Sequence, residues 1–494
     1  MTRLAITRLF TAPVVAPVVA PVVALVGLLG VAACRSGDAP ASPPPAPAPR
    51  IEPVVSRPAP GIDLTGPIAP APRGDRVQRS AASLDLGADR AIVRVSVPSP
   101  PRGGAVGFRF AGDRPGWVTR IPDSEALPAV AYGGDRIFVS GGFHSVTFYG
   151  LDAATGRINW ATTNLEDNGP TAAVYDDGRV IFNTESCTVF ALDARTGKRI
   201  WQRRIGDPTL AQTAVADGVV FAAHPGDEGG NALSAFRADS GARLWSRWIG
   251  GELLAAPVIG QGVVYASTVH GWTFAFGARD GKPLWHKPLH ATTAPWPAGD
   301  ELFVTRRRAG KEQQVVVAAA TGEIVREHDA SHGAYAWDVP RDIDDAHAVW
   351  AFEGSRPVVD RGVRYVAMGG EIRASDAASG EPRWQRRYAD KLDARSLGSV
   401  ALAGAQVVVS SRDGKLFGLD VDTGYTLWSY DIGHRVDAEP VVAKGWVFAA
   451  TTDGYVVALG VGDATLDGWH MFGGNAAHGG PVPAQPRGAP TVTL

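Results

Sequence analysis

Apolar and polar positions alternate along this chain in short bursts, without the spacing of amphipathic helices. Runs such as Thr188-Val-Phe-Ala-Leu192, Thr273-Phe-Ala-Phe276, Gln314-Val-Val-Val317 and Lys415-Leu-Phe-Gly-Leu419 are rich in β-branched and aromatic side chains, so they read as strands. Each run leads into a polar turn. In the copy at 151–160 the turn has Asp152 to accept hydrogen bonds from turn amides, Thr155 to cap the bend and Gly156 to supply a positive φ. A second strand carrying Trp160 follows. Further upstream in the unit lies another hairpin, as in Ala216-Asp-Gly-Val-Val-Phe221, with Asp-Gly as its turn.

The unit repeats. A Trp stands four residues after the turn Gly at Gly156/Trp160, Gly197/Trp201, Gly241/Trp245, Gly281/Trp285, Gly380/Trp384 and Gly424/Trp428. A degenerate copy at Gly322 has Arg326 in place of the Trp. Successive glycines are 41, 44, 40, 41, 58 and 44 residues apart. Four short strands in about 42 residues make one propeller blade.

The repeated Asp-x-x-Thr-Gly-x-x-x-Trp resembles the repeat of pyrroloquinoline-quinone (PQQ)-type propellers, and the resemblance runs from about Trp117 to Gly480. It implies that each Trp packs between neighbouring blades. The family includes quinoprotein alcohol dehydrogenases and non-enzymatic propeller lipoproteins of the BamB type, which serve outer-membrane β-barrel assembly. WD-type repeats have a similar length, but their Gly-His…Trp-Asp signature is missing.

Gly116-Trp117-Val-Thr-Arg-Ile121 reads as the Trp-bearing outer strand of a blade whose other three strands lie at the far end of the chain. These are Pro440-Val-Val442, Trp446-Val-Phe-Ala-Ala450 and Tyr455-Val-Val-Ala-Leu459. Joining the ends would close the ring and remove exposed edges. The predicted fold is therefore all-β, an eight-bladed β-propeller of four-stranded blades in which an N-terminal strand closes the last blade; seven blades is the alternative. Ala91-Ile-Val-Arg-Val-Ser-Val97 reads as a further strand ahead of it.

Residues 1–34 read as a lipoprotein signal peptide. Arg3 and Arg8 precede an apolar run, and Val31-Ala-Ala-Cys34 resembles a lipobox with Cys34 as the lipidated residue. Arg35, not Asp, follows the Cys; in enterobacterial sorting that resembles an outer-membrane destination, with the protein facing the periplasm. An uncleaved anchor or a plain secretory signal is the alternative. Residues 35–89, dense in Pro and Ala to Pro72, read as a disordered tether. The propeller then occupies 90–480, and 481–494 is a loose tail. Trp469-His-Met-Phe-Gly-Gly-Asn-Ala-Ala-His478-Gly-Gly480 resembles a terminal segment of such propellers and is expected to lie across the ring.

A formal net charge of −2 gives no reason to invoke nucleic acid. The dehydrogenases of the family bind the quinone with a Ca²⁺ held by carboxylate and amide oxygens, and many carry a disulfide between adjacent cysteines. This chain has two cysteines, Cys34 and Cys187. With Cys34 lipidated no intramolecular disulfide remains, and Cys187 reads as a small buried strand residue. His286 and His290 are separated by Pro288, which denies them a shared helical face. Arg306-Arg-Arg308 with Lys311 forms a basic cluster, either a solvated hairpin or a contact for an acidic partner or lipid head group, and Asp342, Asp344 and Asp345 form an acidic counterpart, solvated or a partner contact. Two departures from the repeat, the 330–350 insertion and His224–Gly230, are either loop drift or binding loops.

The expected function is a non-catalytic scaffold, a monomer that presents propeller-face loops to envelope proteins and is tethered to the membrane through Cys34. No catalytic residue, cofactor or metal is expected. The alternative is a quinoprotein-type oxidoreductase that binds PQQ and Ca²⁺. The residues singled out as blade-docking are Trp117, Trp160, Trp201, Trp245, Trp285, Trp384 and Trp428. The turn glycines are Gly156, Gly197, Gly241, Gly281, Gly322, Gly380 and Gly424.

Overall fold

Eight antiparallel sheets, each four-stranded at its core, surround a common axis in a computed structural model. It describes residues 84–86 and 90–467 apart from 125–126, 128, 143, 164, 166–168, 186–187, 207–211, 228, 255, 293, 309–310, 334–356, 369 and 389–396. Cys34, Cys187, Asp342, Asp344, Asp345, the Trp469–Gly480 segment and most of the 330–350 insertion lie outside the described residues.

Blades 1 to 7 follow in chain order at 131–162, 174–204, 214–248, 258–287, 296–333, 358–387 and 397–431. In each, the first strand is innermost and the fourth lies farthest out of the four, and in blades 1 to 6 the first is also the shortest. The sequence explains the layering. First strands such as Ala214–Ala216 and second and third strands such as Ile181-Phe182 and Val189–Leu192 bury nearly every side chain. The fourth strand of blade 2, Arg199–Arg204, is exposed apart from one buried residue, Trp201.

Blade 8 is composite. Its inner strands are Val441–Ala443, Trp446–Ala450 and Tyr455–Gly460, and the fourth is Arg114–Arg120, with Trp117 opposite Ala458. This pairing closes the ring, and it settles the blade count at eight. Trp117, 1% exposed, is among the largest fully buried side chains.

Trp117 does not lie on the outermost strand, as the repeat suggested. Ala105–Phe110 pairs outside it as a fifth strand. The run 91–97 is paired only at Val93–Arg94, which adds in parallel to Tyr430–Asp431 of blade 7. Leu84–Asp85 adds in parallel to Arg386–Arg387 of blade 6. The N-terminal segment thus straps the outer edges of blades 6, 7 and 8, and a fourth strand with one open ladder edge accepts it.

Antiparallel order sorts the connections onto two faces. One face, the turn face, carries the turns between first and second strands and the Asp-x-x-Thr-Gly turns between third and fourth strands. The other, the hairpin face, carries the hairpins between second and third strands and the links between blades.

Candidate interaction surface

The repeated residues assemble contacts between blades. In blade 2 the Asp193 carboxylate accepts hydrogen bonds from the Thr196 amide (2.8 Å) and hydroxyl (2.6 Å), which fixes the turn and holds the carboxyl below its ordinary pKa. Asp152 with Thr155, Asp376 with Ser379 and Asp420 with Thr423 repeat the arrangement. The turn then receives the preceding blade's Trp. The indole N–H of Trp117 donates to the Ala153 carbonyl (2.9 Å), Trp160 to Ala194 (3.1 Å), Trp201 to Ala238 (2.8 Å), Trp245 to Ala278 (3.0 Å), Trp285 to Ala319 (2.9 Å) and Trp384 to Val421 (2.9 Å).

The motif glycine lies flat against the same ring. A Cβ would sit 2.4 Å from Trp117 at Gly156, 2.5 Å from Trp160 at Gly197, 2.7 Å from Trp201 at Gly241, 2.6 Å from Trp245 at Gly281, 2.7 Å from Trp285 at Gly322 and 2.5 Å from Trp384 at Gly424. Sequence reasoning missed a second donor two residues beyond the Trp. The Thr119 and Thr162 hydroxyls (2.6 Å each) and the guanidinium Nε of Arg203 (2.9 Å), Arg247 (2.7 Å) and Arg386 (2.6 Å) donate to the carbonyls of Gly156, Gly197, Gly241, Gly281 and Gly424. The recurring Trp-x-Thr or Trp-x-Arg was the available signal.

Two positions differ. Arg326 turns back into its own blade and forms a bidentate pair with Glu301 (2.6 and 2.7 Å), and His328 packs against Gly380 where a Trp ring would otherwise lie. Trp428 shares an apolar cluster with blade 8, but its N–H donates to Gln406 within blade 7 (2.8 Å) because blade 8 offers no motif turn.

The singled-out loops share the hairpin face. His224–Gly230 joins second and third strands that are seven residues each, Val219–Pro225 and Asn231–Arg237. His224 lies buried at its base, with Nε2 2.8 Å from Ser234 Oγ and Nδ1 2.7 Å from the Pro225 carbonyl; burial lowers its pKa. The basic cluster sits on the hairpin of blade 5. Its Arg306 is engaged, with Nε donating to Gln313 (2.8 Å) and Nη2 to Glu327 (2.6 Å). The fourth strand of blade 5, Ile324–Gly333, takes in the first residues of the 330–350 insertion and ends on the same face. Aromatic side chains also emerge there: Trp248 is 62% exposed and Trp272 40%, against Phe274 and His286. His286 stacks on Phe274, while His290 occupies a positive-φ turn, so the two histidines serve separate local structures.

Among the described residues no group of three or more His, Cys, Asp or Glu is arranged to hold a metal ion. The two cysteines are far apart in sequence, not adjacent.

The family model described as outer membrane protein assembly factor BamB matches residues 101–328 and 320–467. The outer membrane protein assembly factor BamB of Yersinia pestis is 26% identical over 328 residues, 62% of this chain and 67% of that protein. Further relatives of the same description match over 26–50% of their own length. The crystal structure of BamB from Moraxella catarrhalis superposes with a TM-score of 0.52 at 18% identity, covering 72% of this chain and 97% of that one. A quinohemoprotein alcohol dehydrogenase from Pseudomonas putida gives 0.51 at 14%, covering 75% and 77%. At these identities the structural likenesses show the propeller fold alone. The family model spans most of the ring, and the chain belongs to the PQQ-like propeller family of the outer membrane protein assembly factor BamB.

Proposed function

We propose that this protein is a non-catalytic scaffold of the bacterial cell envelope that binds protein partners in outer-membrane protein assembly. The observation that carries this reading is the family match across 101–467. The hairpin face supports it, because the lengthened loops and the exposed Trp248 and Trp272 gather there on a rigid ring. In this reading Cys34 carries the lipid, the tether expected over 35–89 gives way to the blade 6 strap at Leu84–Asp85, and the protein works at the outer membrane facing the periplasm as a monomer. Cys34→Ser should then release it from membranes, and fatty-acid labelling of that variant would contradict the assignment.

The quinoprotein alternative draws support only from fold likeness, and fold does not carry function. Affinity capture from crosslinked envelopes tests the proposal. β-Barrel assembly components should co-purify with the wild-type chain. Their absence, together with a PQQ- and Ca²⁺-dependent rise in melting temperature and alcohol oxidation, would replace the scaffold by an oxidoreductase.

A further inference from the structure

The motif turns differ in charge around the ring. Directly after the motif glycine stand Arg157 in blade 1, Lys198 in blade 2 and Lys282 in blade 4, with Arg243 one position later in blade 3. Arg195 and Arg279 lie within the turns of blades 2 and 4. All six are exposed, and none has an ion pair or a side-chain hydrogen bond among the described residues. On the other side of the ring the order reverses, with Glu323 in blade 5 and Glu381 in blade 6 at the same position. Glu323 takes up Lys287 of blade 4 (2.5 Å), and Arg383 of blade 6 is tied to Asp376 (3.0 Å).

An apolar side chain accompanies the cations at one structural position. The residue before the motif Trp is Ile200 in blade 2, Leu244 in blade 3 and Leu284 in blade 4, exposed by 45%, 43% and 42%. A single exposed Leu needs no explanation. Here three stand in register on consecutive blades, each within two residues of an unpaired cation, and together they make an amphipathic edge. Val325 continues the apolar position in blade 5, but Glu323 replaces the cation, so the edge ends there. The carboxylates of the same turns are engaged locally: Asp193 with Thr196 (2.6 Å), Asp239 with Arg237 (2.5 Å) and Asp280 with the Lys282 amide (2.9 Å). Asp177 and Asp217 lie on the turns after the innermost strands, nearer the axis. A flat contact over the whole turn face would include them; a contact at the rim leaves them out.

We infer that the turn-face rim of blades 1 to 4 docks on an anionic lipid surface. Arg157, Lys198, Arg243 and Lys282 meet the headgroups, and Ile200, Leu244 and Leu284 meet the acyl boundary. The cations are spread one or two to a turn over four blades. A layer of many anionic headgroups engages them together, and the adjacent apolar side chains have a hydrocarbon boundary to enter. The ring then meets the membrane edge-on and leaves the hairpin face open to protein partners. This rests on the proposed function only in placing the chain at a membrane.

The test is co-sedimentation of the full-length Cys34→Ser chain, which removes the proposed acylation site, with vesicles of phosphatidylcholine alone or mixed with phosphatidylglycerol. Binding through residues 1–83 is common to all variants. Partition onto the anionic vesicles should exceed that onto the neutral ones. Lys198→Gln/Arg243→Gln/Lys282→Gln should lower this excess at least tenfold, because each basic residue at such a surface contributes about fivefold. Arg90→Gln/Arg102→Gln/Arg109→Gln removes three exposed cations elsewhere, gives the same net charge and should keep the excess. Leu244→Ser/Leu284→Ser should weaken binding without altering its dependence on salt. Equal losses in the two charge variants would reduce the effect to net charge and overturn the assignment. So would a parent chain with no preference for anionic vesicles whose rim variant loses a protein from envelope capture; the rim would then serve an acidic protein. Loss of partner capture by the hairpin face would leave the rim assignment standing, and failure on vesicles would leave the scaffold reading standing.

Discussion

Replacing Gly241 by Ala adds one methyl group where two independent costs meet. The backbone there has φ +66°, and a Cβ would lie 2.7 Å from Trp201 Cε3 and 2.8 Å from Cδ2. The left-handed conformation costs a non-glycine residue about 1–2 kcal/mol. Displacing a ring that is held to Ala238 by its N–H adds about 1–3 kcal/mol of overpacking. Gly218, in the Asp-Gly turn of the same blade, separates the two terms: its φ is +73°, but nothing lies within 4 Å of its Cβ position. Gly218→Ala should therefore lose only the first term, and Gly241→Ala about 1–3 kcal/mol more. Urea unfolding followed by circular dichroism measures both. The excess at Gly241 should vanish in a Trp201→Ala background, because the ring that causes it is gone. Equal losses at the two glycines, or an excess that survives removal of Trp201, would refute the close-approach account.

Other positions give sharper contrasts. Trp201→Ala should cost about 3–5 kcal/mol as a large aromatic truncation, whereas Arg326→Ala should cost about 1 kcal/mol, since its pair with Glu301 is partly exposed; a double-mutant cycle with Glu301→Ala measures the pair, and equal losses at Trp201 and Arg326 would contradict the contrast. Burial lowers the His224 pKa from 6.5, so the folded state binds fewer protons than the unfolded one. Its contribution should be fully present above pH 6.5 and decline as pH falls from there toward the lowered folded value, a slope that His224→Gln should lack in stability curves between pH 7 and 5. Deleting residues 35–83 should leave the melting temperature unchanged, while deletion through Arg120 should expose Tyr455–Gly460 and cause aggregation in light scattering; a chain starting at Pro122 that stays monomeric and melts like the full domain would contradict composite closure.

Most of the fold could be read from the chain because one physical unit recurs with register. Gly and Trp at fixed spacing mark a turn and the strand after it, and the lone Trp117 points to strands 330 residues away. The straps were harder to see. Leu84–Asp85 and Val93–Arg94 pair over two residues each, too short for an alternating pattern, and their partners are edges that appear only once the ring is built. Arg326 was visible as a missing Trp, but not its turn toward Glu301, because that depends on which neighbour is in reach. The interaction surface was half visible. The lengthened loops stood out against the repeat, but their gathering on one face follows from strand order. Trp248 and Trp272 carry no repeat signal.

The measurement that bears most directly on the scaffold claim is site-specific photo-crosslinking in intact cells. A photoreactive residue would be placed at Trp248 or Trp272 on the hairpin face and, as controls, at Lys198 or Asp280 on the turn face, both exposed. Adducts to β-barrel assembly proteins should form from the hairpin-face positions and be missing from the turn-face ones. Equal adducts from both faces, or none from Trp248 and Trp272 with the protein folded and at normal level, would contradict it.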